Sequence, residues 1–441
     1  MYCVGPGRGR YSQLLPRARS CADGTETTAQ ITFYFFDPWG ENSHGSRITP
    51  TLPRLLPLTP DPLPDFSERR SFPGTRDNSF DIILRRQEQV QNIPDLVFAG
   101  LLLVLALIPT LGRWPWTVGL WLFFLGDWAL LALLPRLGKS FGPPKTPVIL
   151  LALPRAILAL LPPPLALPVQ IIGTLLVIYG FWIEPHTIRV TRQTLVSPKL
   201  NAEAPPLRIL HLGDLHIERI SARERQLNRL VRDLQPDLIL FSGDILNLSY
   251  LDDPTAFEHA RQIMAEWQAP YGVYAVSGSP AVDLDELFPR LVEGLPLRWL
   301  RDERITLEAK GHALDIIGMS CTHKPFIDGP RLERLVEPRT GRFTILLYHT
   351  PDLAPHADRT GAVDLQLSGH THAGQVRLPF FGALYAGLLY GKRFEAGRYA
   401  LKNMVLYTTR GIGMEGKGAP RVRFLAPPEI ILWELRGGKS A

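Results

Sequence analysis

Hydrophobic positions are spread unevenly along the chain, and their spacing divides it into three parts. From Leu96 to Ile183 four apolar runs follow one another: LVFAGLLLVLALIPTL (96–111), WTVGLWLFFLGDWALLALL (116–134), PVILLALPRAILALL (147–161) and LPVQIIGTLLVIYGFWI (167–183). Each approaches the ~20 apolar residues that cross a bilayer. Their adjacency and near absence of charge set them apart from a buried helical core, so the pattern predicts about four transmembrane helices over 91–184. The third run departs most from it, being short and holding Pro154 and Arg155. Beyond residue 206 the period changes. Strand-length apolar runs, LRILHL (207–212), DLILFS (237–242), GVYAVS (272–277), ALDIIGM (313–319), FTILLY (343–348) and VDLQLS (363–368), alternate with helical patterns such as ARERQLNRLVRDL (222–234). Strands apolar on both faces belong in a sheet covered on both sides, which predicts an α/β domain.

Residues 1–90 have no sustained period and are rich in Pro, Gly, Arg, Ser and Thr. Such a stretch buries too little surface to offset chain entropy and reads as disordered. No methionine lies between Met1 and Met264, so a start near residue 90 would need another codon, and a misassigned upstream extension is the alternative. No apolar run and small-residue cleavage site of a signal peptide follows the N-terminal basic residues. Residues 185–206 read as a linker, and 207–436 as the α/β domain.

Charge adds an orientation. The chain of 441 residues carries 48 Lys and Arg against 42 Asp and Glu, a net +6. That balance suits an anionic membrane surface or nucleic acid, but no cluster of basic residues with interleaved aromatics is present, which excludes nucleic acid as a partner. Cys3, Cys21 and Cys321 are too few and too scattered for a disulfide framework or a zinc pattern, consistent with a reducing compartment. Arg85 and Arg86 precede the first apolar run, Arg136, Lys139 and Lys145 lie between the second and third, and Arg189, Arg192 and Lys199 follow the fourth; the opposite loops hold only Arg113. The positive-inside rule then puts both termini in the cytoplasm. The expectation is a multi-pass protein of the cell inner membrane whose domain faces the cytoplasm. Asp127 and Arg155 would each sit ~10 Å deep at ~1.5 Å per residue. A charge at that depth is costly unless paired, so an Asp127–Arg155 ion pair is expected.

Polar residues gather after the C-terminal ends of the strands, where ligands bind in open α/β sheets. GDLH supplies Asp214 and His216, SGD supplies Asp244, LYH supplies His349, and SGHTHAG supplies His370 and His372. Two carboxylates and four histidines suit a dinuclear centre, since a carboxylate can bridge two cations and imidazole favours Mn, Fe or Zn over Ca or Mg. The i, i+2 spacing of Asp214/His216 and of His370/His372 would point alternate side chains of an extended segment the same way.

Asp-x-His, Gly-Asp, a single His and Gly-His-x-His, in that order, resemble the calcineurin-like metallophosphoesterase superfamily over about Leu207 to Leu435. GHTHAGQ (369–375) and the ending RGIG…RFLAPPEIILWEL (410–435) are most like its membrane-anchored bacterial members. The resemblance implies a sandwich of two mixed sheets flanked by helices, here preceded by an all-α transmembrane bundle. It also implies two divalent cations: Asp214, His216 and His372 on one, His349 and His370 on the other, and Asp244 bridging. Asp244 and His349 would be the catalytic members, and a hydroxide between the ions would attack phosphorus in line. The substrate would be a phosphodiester or pyrophosphate, of a lipid on account of the anchor or of a nucleotide-linked lipid as for some members of that family. The oligomeric state is left open.

One element departs from the family pattern. The strand matching GVYAVS there ends in Gly-Asn-His followed by an acid, the Asn a ligand of the second metal and the His a substrate contact. Here Gly278, Ser279, Pro280 and Ala281 stand instead, so both side chains are missing. Asp283, Asp285, Cys321 and His323 are candidate substitutes, with ordinary structural roles the simpler expectation for each. The alternative function is a degenerate relative that keeps metal and ligand affinity with little catalysis; a transporter formed by the apolar helices is more distant.

Overall fold

The computed structural model describes Phe72, Gly74, Thr75 and residues 79–438; the expectation for residues 1–71 lies outside the described residues. The boundary drawn at residue 90 is corrected, because Ser79–Glu88 form a helix, α1. Leu84 is buried, and its carbonyl accepts the Gly418 N–H at 3.1 Å. That anchor is a tertiary contact, which composition does not reveal.

Four apolar helices follow: α2 (Asp95–Thr110), α3 (Trp114–Arg136), α4 (Lys145–Leu158) and α5 (Pro163–Ile178), the last running on through further helical turns to His186. Phe98, Leu102, Phe124, Leu131 and Ala152 meet in their shared core, whereas Leu96, Ile108, Ile157 and Leu175 face outward. An apolar exterior suits a lipid surround. Four helices match the expected number, and two of them, or three with a bent pair, have the length and composition to cross a membrane. The 23-residue α3 and the 24-residue stretch Pro163–His186 are long and apolar enough to cross a membrane, and Ile82–Asn92 with Asp95–Thr110 makes a third only as a pair bent by 108°. Helix α4 has 14 residues, about 21 Å at 1.5 Å per residue, against roughly 30 Å of hydrocarbon.

The expected intrahelical charges do pair. Arg155 donates from Nε to Asp127 Oδ2 at 2.6 Å and from Nη2 to Oδ1 at 2.8 Å. Gln170 takes Arg155 Nη1 on its carbonyl oxygen at 2.8 Å, and Thr174 Oγ1 takes Nη2 at 2.9 Å. Both charged side chains are buried.

The domain that follows is a sandwich. Its strands are β1 (Arg189–Ser197), β2 (Leu207–Leu212), β3 (Leu238–Phe241), β4 (Val273–Ala275), β5 (Arg298–Trp299), β6 (Glu303–Ala309), β7 (His312–Gly318), β8 (Phe343–Leu347), β9 (Leu365–Ser368), β10 (Arg377–Leu378), β11 (Gly382–Ala383), β12 (Gly397–Ala400), β13 (Val405–Thr408) and β14 (Glu429–Gly437). One six-stranded sheet has the order β1-β14-β2-β3-β4-β5 and the other β12-β13-β9-β8-β7-β6, while β10 and β11 form a separate hairpin. Both sheets are mixed: β2, β3, β4 and β5 run parallel with β14 antiparallel to β2, and β7, β8, β9 and β13 run parallel with antiparallel edges.

The strand pattern explains the layers. In β2, Leu207 and Ile209 face the inter-sheet core with Leu314, Ile345, Leu367 and Trp433, whereas Leu210 and Leu212 face the helical side. Helices α6 (Ala222–Leu234), α7 (Pro254–Ala265) and α8 (Phe288–Val292) cover that side; α9 (Pro325–Leu335) and α10 (Ala354–Thr360) lie with the second sheet. Burying each such side chain contributes about 1.5–3 kcal/mol. The expected linker at 185–206 is corrected, because β1 occupies it and pairs in parallel with β14 from Arg189↔Glu429 to Ser197↔Gly437. RVTRQTLVS is an edge strand, half polar by exposure, so it lacks the continuous apolar run by which the central strands were found.

The inner core also holds His211, fully buried, its Nε2 3.1 Å from Ser242 Oγ. Burial pushes its pKa from 6.5 down to about 3. Below pH 6.5 the unfolded chain therefore binds a proton that the native chain does not, and stability falls as pH drops toward 3, by up to about 1.4 kcal/mol per unit. Melting temperatures in detergent should decline from pH 7 to pH 5, and His211→Gln should flatten that acid limb. An unchanged limb in the variant would remove His211 from the account.

Candidate metal centre

Every sequence-selected residue lies in a loop leaving the C-terminal end of a parallel strand, and the packing of the two sheets brings these loops together. Asp214 and His216 follow β2, Asp244 follows β3, His349 follows β8, and His370 and His372 follow β9. Three groups of donor atoms form, each within 4.8 Å: Asp214 with His216 and His372, Asp214 with Asp244 and His349, and His349 with His370 and His323. All six selected residues are thus in the cluster, and His323, five residues beyond β7, joins them.

The i, i+2 spacing works differently from the expectation of an extended segment. Asp214 (φ 51°), His216 (41°), Asp244 (61°), His370 (74°) and His372 (49°) all adopt left-handed backbone, as does His323 (59°). For a residue with Cβ that conformation costs on the order of 1 kcal/mol. It reverses the chain at each residue, turning side chains back over the strand ends. The close approach also needs glycine: a Cβ on Gly411 (φ 68°) would come within 2.6 Å of Asp214 Cβ.

Backbone and hydrogen bonds aim the donors. His349 Nδ1–H donates to the Ser242 carbonyl at 2.9 Å, which turns Nε2 inward, 3.2 Å from Asp244 Oδ2. His370 Nε2–H donates to the Gly387 carbonyl at 3.2 Å, so its Nδ1 faces inward. Such outward hydrogen bonds set the tautomer of metal-binding imidazoles. The Nε2 atoms of His216 and His372 face each other at 2.9 Å. Asp283, a candidate substitute ligand, instead accepts the backbone N–H groups of Asp244 and Gly278 at 2.7 Å each and of Ile245 at 3.0 Å. It braces the turn that opens the family gap. Asp285 is exposed, and Cys321 packs in the apolar core outside the second sheet. Of the four candidates only His323 reaches the donors.

Electrostatics favour a cation here. Burial pushes Asp214 up to about 6 against the pull of His349. Burial also opposes the charge on Asp244, but the neighbouring imidazoles, His349 foremost, hold it well below the usual carboxylate range. Burial and then the charge of His349 lower His370 to about 4, and burial with His216 and Arg423 holds His372 well below the usual imidazole range. His349 goes the other way: burial would lower it, but the carboxylates of Asp244 and Asp214 raise it to about 9. Divalent cations need neutral imidazoles beside carboxylates, and binding here would displace the proton that Asp244 and Asp214 hold on His349. The residues fit that group.

Two features escaped the sequence reading. Arg423, fully buried, donates to the His372 carbonyl and to His372 Nδ1 at 3.0 Å each. Its own backbone N–H reaches the Gly180 carbonyl at 2.9 Å, at the domain end of the bundle. Arg421 pairs with Glu218 at 2.7 Å, and Glu218 accepts the Phe141 N–H from the loop between α3 and α4 at 3.0 Å. Two arginines alternating in the proline-flanked segment PRVRFLAP were the available signal. Nearby, the Gly74 carbonyl takes the Ala281 N–H at 3.3 Å, and the rings of Phe72 and Phe326 meet at 5.9 Å, tilted by 50°.

Comparison with known proteins agrees with this geometry. Residues 207–374 match the calcineurin-like phosphoesterase family. The uncharacterized metallophosphoesterase YkuE of Bacillus subtilis is 29% identical over 267 residues, covering 58% of this chain and 89% of its own length. The phosphodiesterase YaeI of Escherichia coli is 26% identical over 260 residues, 58% of this chain and 92% of its own. The UDP-2,3-diacylglucosamine pyrophosphatase LpxG of Chlamydia trachomatis is 26% identical over 309 residues, 57% of this chain and 90% of its own. Taken with the mixed-sheet sandwich and its candidate metal-binding clusters, these matches make the chain a member of the calcineurin-like metallophosphoesterase superfamily, a hydrolase of phosphoric ester bonds.

Proposed function

We propose that this protein is a membrane-anchored dinuclear phosphoesterase that cleaves a phosphodiester or pyrophosphate bond of a lipid-linked substrate, at the inner membrane with its domain toward the cytoplasm. The observation that carries the reading is the apolar hairpin beside the donor cluster. On and around β10 and β11, Phe380 is 90% exposed and Phe381 58%, with Leu378, Leu384 and Tyr385 also open. Val376 at its base packs on the bundle core, and Phe424, bridged to Val376, meets the ring of Tyr179 at 5.9 Å. The chain leaving the hairpin supplies the Gly387 carbonyl that orients His370. Exposed aromatic side chains continuous with an apolar bundle suit an interfacial position. Ala383, Ala386, Leu388 and Phe394 of the same stretch pack within the domain. The pyrophosphatase LpxG, named for an acylated nucleotide sugar as its substrate, supports a lipid-linked substrate for this chain as well.

In this reading Asp214, His216 and His372 hold one divalent cation, His349 and His370 the other, and Asp244 bridges. Manganese, iron or zinc suits that donor set. Bound there, the cations supply Lewis-acid neutralisation of phosphoryl oxygens and lower the pKa of a water. Asp244 stays ionised at the centre of the cluster, while the hydrogen bonds to Ser242 and Gly387 keep the lone pairs of His349 and His370 inward. Pro280 has no proton to give a leaving group, which favours substrates whose leaving groups depart unaided, pyrophosphates and aryl esters.

One comparison tests both parts. Turnover of a soluble bis-aryl phosphate should exceed that of a dialkyl phosphate by more than the ordinary reactivity difference, by a further factor of about 10²–10⁴, the usual worth of a general acid. With a diphosphate-linked lipid in vesicles, Phe380→Ser/Phe381→Ser should lower turnover roughly tenfold or more, since burying each aromatic side chain is worth about 1.5–3 kcal/mol, while leaving bis-aryl turnover unchanged. Equal aryl and alkyl rates would contradict the leaving-group argument, and an unaffected vesicle rate would contradict the hairpin's role.

A further inference from the structure

We infer that His323 is a ligand of the second cation, standing in for the amide side chain that Ser279 lacks. The inference rests on the dinuclear reading above and concerns a residue outside the family's ligand pattern.

The geometry centres on Ser279. Its hydroxyl oxygen has four polar neighbours: His349 Nε2 at 3.0 Å, His323 Nε2 at 3.2 Å, Asp244 Oδ2 at 3.3 Å and His370 Nδ1 at 3.4 Å. A hydroxyl has one proton to give. The outer nitrogens of His349 and His370 donate to the Ser242 and Gly387 carbonyls, so the inner nitrogens of three imidazoles and a carboxylate oxygen converge on one small space. Donor atoms meeting at one point in this way suit a cation. The three imidazoles form a triangle, with ring centroids 4.5 Å apart for His323–His370, 5.3 Å for His349–His370 and 5.9 Å for His323–His349. His323 is fully buried, and its Nδ1 has no hydrogen-bond partner among the described residues. Its left-handed backbone, shared with five of the six other donors, is the same device that aims them.

The exchange changes the chemistry of the site. An amide is a hard oxygen donor, whereas a third imidazole is borderline, so the second position should select zinc or iron over magnesium.

The test uses the full-length chain in detergent, stripped with chelator and titrated with Zn²⁺, with bound metal counted by elemental analysis. The wild type should bind two ions and His323→Leu one. His323→Gln, which restores an amide oxygen, and His323→Leu/Ser279→Asn, which restores one from the neighbouring turn, should return to two. A His323→Leu chain that binds two ions with wild-type affinity would overturn the assignment. A wild type that binds a single ion would overturn the dinuclear reading and the assignment with it, and a His216→Ala control losing the other ion separates these outcomes. A readout on the wild type needs no variant to fold: deuterium exchange at the imidazole C2 position, followed residue by residue, should slow on Zn²⁺ addition at His323 as at His349. Slowing at His349 without slowing at His323 would sink the proposal.

Discussion

Asp244→Asn should reduce hydrolysis of a bis-aryl phosphate by on the order of 10³-fold or more, because a Lewis-acid centre is worth several kcal/mol and each 1.36 kcal/mol is a factor of ten. The substitution is close to isosteric, and the structure says which way the amide will turn. Asp244 Oδ1 accepts the Ser279 N–H at 2.6 Å. That bond keeps the carbonyl oxygen of an asparagine in the δ1 position and sets its NH₂ group at δ2. Position δ2 is the one that faces the Nε2 atoms of His349 at 3.2 Å and His216 at 3.5 Å. A donor with no acceptor capacity would then occupy the junction of the donor groups. Folding should survive, since the backbone N–H groups of Asp244 and Ile245 still reach Asp283. Rates measured alongside bound-metal counts and melting temperature separate chemistry from folding. Turnover within tenfold of wild type, with the fold intact, would remove Asp244 from the centre of the reaction.

The second large effect lies in the bundle. Asp127→Asn or Arg155→Gln alone should destabilise the protein by about 3–5 kcal/mol, the usual cost of leaving one buried charge without its partner. Arg155 makes a two-point contact with Asp127, and Gln170 and Thr174 take its remaining donors. Gln170 closes the ring by donating to the Arg155 carbonyl at 2.8 Å. Removing the carboxylate leaves a guanidinium among apolar helices, and removing the guanidinium leaves a carboxylate there. The double variant carries neither charge and should recover most of the loss. Unfolding in detergent for the wild type, both single variants and the double variant completes the cycle. Additive losses would mean that the two charges contribute nothing as a pair.

Much of this protein is legible locally. LRILHL is β2, and ARERQLNRLVRDL is α6, to the residue. The six donors Asp214, His216, Asp244, His349, His370 and His372 could be picked out because rare chemistry-bearing residues recur after consecutive apolar runs. The charges at Asp127 and Arg155 could be paired because depth in an apolar helix is a function of distance along the chain. Residue type, period and order along the chain carry all of these, and each is a property of a short window.

Other features depend on residues far apart in the chain. Strand β1 is a strand because Arg189 lies beside Glu429, and its own residues are too polar to announce it. Helix α1 is held where Gly418 meets Leu84. Fewer helices are long enough to cross a membrane than there are apolar runs, because α4 ends at Leu158 while its run continues to residue 161, and α2 has only 16 residues. His323 joined the centre because a left-handed turn after β7 swings it toward Ser279, and Arg423 reached His372 because the 420–425 loop is clamped to Gly180. The sequence alone determined the chemistry available and the strands that deliver it. Which side chains share a space was decided by the tertiary structure, because donor atoms a few ångströms apart come from loops brought together only when the two sheets pack.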